Sequence, residues 1–194
     1  GTIAARLNQD RIKGEIGLEA NFLKSYRYSD LNTDGPDSDT LVDGYDTTRM
    51  TLLSNWNHGW ELVNGIILHL DNEFGLTQYD VQQHADIGPK ATRMFGAGAV
   101  GLRWPWYRIN SAGGIGIVEP QLQLVRSVSG NSAVPNDDST QIEFDEGNLF
   151  RLNRAPGFDL IENGTRLNIG LAGSQFMDSG SNLSWEIGRV LRSE

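Results

Sequence analysis

Apolar and polar residues alternate along several long stretches of this chain. Over residues 12–22 the even positions are apolar or glycine, whereas the odd positions are mostly charged or polar. The same period of two runs through residues 60–79, with exceptions at Val63 and Ile67. A period of two is typical of a β-strand whose two faces meet different surroundings. We therefore predict one long strand over residues 12–28 and another over residues 60–79.

Shorter alternating stretches occupy much of the remaining sequence. They lie at residues 48–57, 93–106, 117–126, 166–173 and 183–192. Residues 110–114 read Asn-Ser-Ala-Gly-Gly, which suits a hairpin turn between two of them. Segments rich in Gly, Asp, Ser or Pro are predicted as loops, at residues 30–44, 82–90, 127–139 and 178–182. The chain is predicted to be all-β, with about eight or nine antiparallel strands.

Two kinds of all-β protein fit this pattern, a soluble β-sandwich and a transmembrane β-barrel. Strand length favours the barrel, because globular strands run to about 5–6 residues and membrane strands need about 9–11. Aromatic residues near the strand ends would suit the girdles at the two bilayer surfaces. They are Tyr26, Tyr28, Trp56, Trp60, Tyr79, Trp104, Trp106 and Tyr107. We predict an antiparallel transmembrane β-barrel of the outer-membrane type.

Composition changes this picture little. The chain of 194 residues is 38% hydrophobic, and a barrel can have such an average because only alternate strand residues face lipid. A net charge of -9 argues against binding nucleic acid, whose phosphates require clustered Lys and Arg. Because the chain contains no cysteine, a disulfide framework and a cysteine metal site are both excluded within it.

Candidate chemistry is sparse. His69 and Asp71 share a strand face and could hold a general base with its orienting carboxylate, but polar residues of this kind also line barrel interiors. Acidic residues that could bind Ca²⁺ cluster at Asp137, Asp138, Glu143, Asp145 and Glu146. Their spacing matches no calcium loop, so a solvated turn fits them better. The residues thus give little support for catalysis, and we predict no catalytic residue, no metal site and no cofactor.

Pro120 interrupts the alternation of residues 117–126. It follows Glu119, a charged residue that itself lies inside the strand pattern. Proline has no N–H to donate to a neighbouring strand, so Pro120 is predicted to mark an edge, a bulge or a local strand break. This feature indicates architecture and not catalysis.

The second half of the chain carries an ordered series of short motifs. They are Glu119-Pro120 followed by Gln123, PNDDS at 135–139, EFD at 143–145, NLF at 148–150, NR at 153–154, GFD at 157–159, E-x-G-x-R-x-N at 162–168 and GRVLR at 188–192. This series resembles the barrel domain of the lipopolysaccharide-assembly family LptD, also called OstA or Imp. Residues 1–115 match only in kind, ending in a similar Arg-Trp-Pro stretch. Departures from the family pattern occur at Asp137, Ala155, Phe158, Leu160 and Leu191.

The resemblance implies a non-enzymatic translocon in the outer membrane of a Gram-negative bacterium. Such a protein receives lipopolysaccharide from a periplasmic bridge of the LptA kind, holds an LptE-like lipoprotein plug, and releases the glycolipid into the outer leaflet. A barrel with a hydrated lumen and an opening seam could carry the polar head inside, while the acyl tails leave sideways into outer-membrane lipid.

The motifs also single out residues expected to form a polar network on lumenal strand faces and adjoining loops, with a structural role or a role along the lipopolysaccharide path. These residues are Glu119, Gln123, Asn136, Asp138, Asp145, Asn148, Arg154, Asp159 and Arg166. We expect Arg154 and Arg166 to pair with Asp145 and Asp159, because buried charges need partners to tolerate desolvation.

Two other functions fit the strand pattern. One is a general outer-membrane diffusion porin, in which acidic lumenal faces would favour cations, and the other is a soluble β-rich binding protein. Residues 1–194 are predicted to form a single barrel segment with no separate N-terminal periplasmic domain. Because about nine strands enclose too small a lumen for a plug, the segment is expected to be an arc of a larger barrel.

Overall fold

The part of the chain that the structure describes folds into nine β-strands. The computed structural model describes residues 1–8, 13–25, 46–82, 90–110, 114–130, 134–135, 148–155 and 157–193. Within these ranges the strands are β1 (Thr2–Asn8), β2 (Glu15–Ser25), β3 (Asp46–Glu61), β4 (Ile67–Gln82), β5 (Lys90–Arg103), β6 (Trp106–Ile109), β7 (Ile115–Ser129), β8 (Gly164–Phe176) and β9 (Asn182–Ser193). In this part of the chain no helix is long and apolar enough to cross a membrane.

All nine strands belong to one antiparallel sheet in which neighbours in sequence are neighbours in space. The order is β1-β2-β3-β4-β5-β7-β8-β9, and the short β6 pairs with the first residues of β7. β3 and β4 each contain 16 residues and β7 contains 15, well beyond the globular mode of about 5–6. Since β1 and β9 are the two edges, the sheet is an open arc, and the predicted all-β barrel fragment is confirmed.

The connections at the two ends of the sheet differ in length. At one end the strands are joined by residues 9–14, 62–66, 110–114 and 177–181. At the other end they are joined by residues 26–45, 83–89 and 130–163, which include the two longest connections of the chain. Outer-membrane barrels have this asymmetry, with short turns on the periplasmic side and longer loops on the extracellular side.

The two faces of the sheet have opposite character. In β7, Leu122 and Leu124 are 41% and 52% exposed, whereas the intervening Gln123 is 2% exposed. β8 repeats the pattern, with Ile169 exposed beside the fully buried Asn168. We call the face of Leu122, Leu124 and Ile169 the apolar face, and the face of Gln123 and Asn168 the polar face. A soluble sheet buries its apolar face and hydrates its polar face, so the burial here is inverted, as in a protein surrounded by lipid.

A hairpin turn divides the strand that the sequence predicted over residues 60–79. β3 ends at Glu61 and β4 begins at Ile67, with a single 3-10 turn between them. Asn64 and Gly65 have φ values of 59° and 73°, the left-handed region that Asn-Gly adopts in tight hairpins. The prediction of one strand is therefore wrong. The alternation continued through the turn because even-numbered residues lie on the same face in both strands.

Aromatic residues on the apolar face gather at the short-turn end of the sheet. The indole Nε1 of Trp104 donates to a carbonyl oxygen of the β3–β4 turn at 3.0 Å, and its ring meets Trp106 edge-on at 5.0 Å between centroids. This arrangement suits an interfacial girdle. Tyr79 was wrongly assigned to the girdle, because it is fully buried on the polar face. The predicted Tyr26 and Tyr28 lie outside the described residues.

Pro120 lies opposite an interruption between β5 and β6. Residues 104–105 belong to neither strand, and the backbone N–H of Trp104 donates to the carbonyl oxygen of Pro120 at 3.1 Å. In an antiparallel ladder the opposite residue returns this bond through its own N–H, which proline lacks. The pairing register is the same on both sides of the interruption. Of the three predicted alternatives, the structure therefore selects a local break without an inserted residue.

Gly75 makes room for the ring of Phe95 on the neighbouring strand. A Cβ added at Gly75 would lie 2.1 Å from this ring, whereas one added at Gly96 would meet no atom closer than 3.8 Å. We expect Gly75→Ala to lower the free energy of unfolding by about 1–3 kcal/mol through overpacking. Gly96→Ala is the control and should change it by less than about 0.5 kcal/mol. Urea unfolding followed by heat-modifiable gel mobility measures both, and equal effects would contradict this packing.

Candidate functional site

A segment of the β7–β8 connection folds against the polar face of the sheet. We call this segment, residues 148–155 and 157–163, the strap. Gln123 of β7 donates through Nε2 to the carbonyl oxygen of Phe150 at 3.0 Å. The Phe150 ring lies against Gly170 of β8, and the Leu149 side chain lies against Gly188 of β9. Glycine at both positions lets the strap approach the sheet closely.

Asp159 anchors the strap to β3 and β4. Arg49 donates through Nη1 to Asp159 Oδ1 at 2.6 Å, and the Tyr79 hydroxyl donates to the same oxygen at 2.9 Å. The Arg49 and Asp159 side chains are 4% and 2% exposed, and the Arg49 guanidinium lies 5.2 Å from the centroid of the Phe158 ring. A carboxylate this deeply buried requires a paired charge and hydrogen bonds, because both groups have lost their hydration.

Arg93 of β5 holds the strap through its backbone. Its Nη1 donates to the carbonyl oxygen of Asp159 at 2.5 Å, and its Nη2 donates to the carbonyl oxygen of Phe158 and to the hydroxyl of Tyr79. Arg93 is 4% exposed, and its Nε is buried with no hydrogen-bond partner among the described residues. The groups that accept its hydrogen bonds are thus neutral oxygens.

Glu162 gathers three arginines at the end of the strap. Arg154 binds both oxygens of the Glu162 carboxylate. Arg166 of β8 approaches one oxygen at 3.0 Å, and Arg192 of β9 binds the other. Arg166 also donates to two consecutive carbonyl oxygens of the strap, at 2.5 and 2.6 Å. This cluster ties the strap to β8 and β9.

The pKa of the Glu162 carboxyl is set by two opposing effects. Burial disfavours the charged form, but the hydrogen bond from Arg154 and the charges of Arg166, Arg154 and Arg192 outweigh burial and hold the pKa below its ordinary value. Since the pKa is lowered on folding, the stabilisation is complete above the ordinary glutamate pKa of about 4.3 and is lost as pH falls through the folded value.

We expect the free energy of unfolding to fall in acid in part because Glu162 becomes protonated. Urea unfolding measured between about pH 3 and pH 7 gives this dependence. In Glu162→Gln the contribution of this group is absent, so the variant should lose less stability than the wild type over the acidic half of the range. Identical pH profiles for the two proteins would contradict the assignment.

Glu119 and Arg103 bridge the break at Pro120. Arg103 donates through Nε and Nη2 to the two oxygens of Glu119 at 2.8 and 2.9 Å, and Gln121 donates to Glu119 at 2.8 Å. Bidentate pairs of this kind are stronger than single hydrogen bonds between neutral groups. The pair joins β5 to β7 on the polar face, where the backbone ladder lacks one bond.

Gln123 and Asn168 continue the polar network towards β8. Asn168 donates through Nδ2 to Gln123 Oε1 at 2.8 Å, and Gln123 donates in turn to the strap. Asn168 and Gln123 are 0% and 2% exposed, so the hydrogen bond between them replaces part of the hydration that the two amides have lost. The chain of bonds connects the sheet to the strap between the two charge clusters.

A trough of about 720 Å³ opens on the polar face beside the strap. Its lining includes strap residues 150–153 together with Asn55, Asn57, His69, Asp71, Glu73, Arg103, Gln121 and Gln123. His69 Nε2 lies 3.6 Å from Asp71 Oδ2, too far for a strong hydrogen bond. Among the described residues no group of three or more His, Cys, Asp or Glu side chains could hold a metal ion. The trough therefore presents mixed charges and amides to whatever occupies it.

Six of the nine site residues predicted from sequence lie in the described ranges. Glu119, Gln123 and Arg166 are buried on the polar face of strands, and Asn148, Arg154 and Asp159 are buried in the strap. The three others lie outside the described residues, and they are Asn136, Asp138 and Asp145. Of the six, Gln123 and Arg166 donate to the strap, to which Asn148, Arg154 and Asp159 belong, whereas Glu119 pairs with Arg103 away from it.

The predicted ion pairs need correction. Arg166 was expected to pair with Asp159, but it binds Glu162, which lies four residues before it in the sequence. Asp159 pairs with Arg49 instead, on the opposite side of the strap. Arg154 also binds Glu162, and its predicted partner Asp145 lies outside the described residues.

Sequence reasoning missed five members of the two clusters, Arg49, Tyr79, Arg93, Glu162 and Arg192. A usable signal existed for two of the arginines, since Arg49 and Arg93 occupy polar-face positions in strands that are otherwise rich in apolar residues. A charged residue at such a position requires a partner, although the pattern does not name it.

Long antiparallel strands with one apolar face, joined by short turns at one end and longer loops at the other, define a wall of an outer-membrane-type β-barrel. The family model for LPS transport system D, LptD, matches residues 3–194, and the chain belongs to this family. Its members are outer-membrane proteins of Gram-negative bacteria that act in lipopolysaccharide transport and are not enzymes. No curated protein sequence matches the chain.

Proposed function

We propose that this chain forms part of the wall of a translocon that inserts lipopolysaccharide into the outer leaflet of the outer membrane. On this proposal the polar face lines the path of the sugar head, and the apolar face of the same strands contacts outer-membrane lipid. The observation that carries the proposal is the inverted burial of the sheet, with charged and amide groups covered by the strap and leucines exposed.

The amphiphilic cargo explains why such a wall needs both faces. A lipopolysaccharide head is polar and cannot cross hydrocarbon without replacement hydrogen bonds, whereas its acyl chains gain from contact with apolar surface. The trough beside the strap is lined by amide and charged side chains, which offer both hydrogen-bond donors and acceptors to a hydrated sugar. The nine site residues predicted from sequence are proposed to support this path, chiefly by holding the strap.

Partners are proposed from family membership. An LptA-like periplasmic bridge would deliver lipopolysaccharide at the short-turn end of the sheet, and an LptE-like lipoprotein would occupy the lumen of the complete barrel. We further propose that residues 1–194 act as one barrel segment, which is supported by a continuous sheet from Thr2 to Ser193.

Depletion of the protein from growing cells tests the proposed function. Newly made lipopolysaccharide should fail to reach the cell surface, and re-expression of the protein should restore it. A porin would behave differently, because its loss would slow the uptake of small solutes while surface lipopolysaccharide stayed normal. That second outcome would overturn the proposal.

A further inference from the structure

In the cluster of Arg49, Tyr79, Arg93 and Asp159, the carboxylate belongs to the strap and its hydrogen-bond donors belong to the sheet. The donors come from three adjacent strands, Arg49 on β3, Tyr79 on β4 and Arg93 on β5, whereas Asp159 belongs to the strap. Arg49 and Asp159 are separated by 110 residues in sequence. The donors keep their positions through the sheet ladder, but the carboxylate keeps its position only as long as the strap is bound.

Arg49, Tyr79 and Arg93 together offer more N–H and O–H donors than one carboxylate oxygen can accept. Arg49 and Tyr79 both donate to Asp159 Oδ1. The neighbouring Arg93 gives its two terminal nitrogens to neutral oxygens, and its Nε is buried with no hydrogen-bond partner among the described residues. Two guanidinium groups and a hydroxyl suit a tetrahedral anion with three terminal oxygens and a charge near -2 better than they suit a carboxylate.

We propose that Arg49, Tyr79 and Arg93 form a phosphate site in which Asp159 is the resident competitor. A phosphate group displaces the Asp159 carboxylate and the two strap carbonyl oxygens from these donors, and the strap then leaves β3–β5. The strap remains tied to β8 and β9 through Glu162, so it swings and does not leave the wall. This inference rests on the proposed function, because it gives the phosphorylated head of the cargo a means of opening its own path.

The test measures how fast the strap becomes accessible. The chain has no cysteine, so a single Leu160→Cys provides one thiol on the strap, next to Asp159 but outside the donor set. The protein purified in detergent is labelled with a maleimide while inorganic phosphate is increased and ionic strength is kept constant with chloride. We expect the labelling rate to rise severalfold and to saturate in phosphate but not in chloride.

Two variants separate the proposed cause from a general loosening of the protein. Asp159→Asn removes the resident charge and should label fast without phosphate. Arg93→Gln removes a phosphate donor and should lose most of the response to phosphate, even if its basal rate is higher. The proposal is overturned if chloride is as effective as phosphate, or if Arg93→Gln responds to phosphate like the parent protein.

Lipopolysaccharide micelles, intact or with their phosphates removed enzymatically, identify the source of the anion. Acceleration by intact micelles and by inorganic phosphate, but not by dephosphorylated micelles, supports a phosphate site that the cargo can use. Equal acceleration by both kinds of micelle overturns it. Transport of lipopolysaccharide in cells is assayed separately. If transport is normal but phosphate does not change the labelling rate, only the phosphate site is contradicted. If the wild type does not transport lipopolysaccharide, the proposed function itself is contradicted.

Discussion

Glu162→Gln is expected to lower the free energy of unfolding by about 3–5 kcal/mol at neutral pH. The substitution removes the Glu162 carboxylate that Arg154 and Arg166 share, and the side chains of these arginines are 0% and 3% exposed. Removing the carboxylate of a buried ion pair costs about this much, because the desolvation of the arginines is then less well compensated. Arg192 adds little to the loss, since its side chain is 49% exposed.

The measurement is urea unfolding followed by heat-modifiable gel mobility. Asp178→Asn is a matched control, because Asp178 is an exposed carboxylate in the β8–β9 turn and its neutralisation should change stability by less than about 0.5 kcal/mol. If Glu162→Gln were no more harmful than this control, the three-arginine cluster would not be a source of stability.

A double-mutant cycle on Arg49 and Asp159 is expected to give a coupling free energy of at least about 1.5 kcal/mol. The two side chains form a short pair that is almost fully buried, so each single substitution removes a close opposite charge from a buried group, whereas the double substitution removes both charges. The losses of stability in the single variants Arg49→Met and Asp159→Asn should therefore sum to more than the loss in the double variant.

The matched control for this cycle pairs Asp159 with Arg166. Arg166 is bound to Glu162 and to strap carbonyl oxygens, and among the described residues no hydrogen bond or ion pair joins it to Asp159. Substitutions at Arg166 and Asp159 should add to within about 0.5 kcal/mol. Additivity in the Arg49–Asp159 cycle, or strong coupling in the Arg166–Asp159 cycle, would reverse the assignment of partners.

The strand pattern was predictable because alternation is a local property of the sequence. The leucines of β7 and the isoleucine of β8 are exposed on one face as the period of two requires, and a stretch of 15 residues leaves little room for a different register. The hairpin between β3 and β4 was predictable in principle as well. Asn64-Gly65 is a strong short-range turn signal, and it was missed because the parity of the alternation is conserved across the turn.

The partners in the strap were not predictable from the pattern. Arg49 and Asp159 are 110 residues apart, and their contact depends on how the strap lies across the sheet as far as β3. The sequence motifs identified six of the buried polar residues in the described ranges, but not the pairs between them. Asp159 and Glu162 lie only three residues apart, yet they bind arginines on opposite sides of the strap, and only tertiary structure separates these alternatives.

The structural effect of Pro120 was predictable only in part. A proline inside an alternating stretch predicted some disturbance of the ladder, and the structure contains a break between β5 and β6. The compensating contact, from Arg103 to Glu119, could not be predicted, because its geometry depends on the register of two strands. The Arg103–Glu119 pair on the polar face thus links β5 to β7 where one backbone hydrogen bond is missing.

The most direct test of the central claim is photo-crosslinking to pulse-labelled lipopolysaccharide in living cells. A photoreactive amino acid is placed at Gln121 or Glu73, which line the trough on the polar face, in a protein that still restores surface lipopolysaccharide after depletion. We predict crosslinks at both positions that appear during the pulse and disappear during the chase, as expected of a path that empties. Absence of crosslinks at both positions while transport is normal would contradict the claim that the polar face carries the cargo.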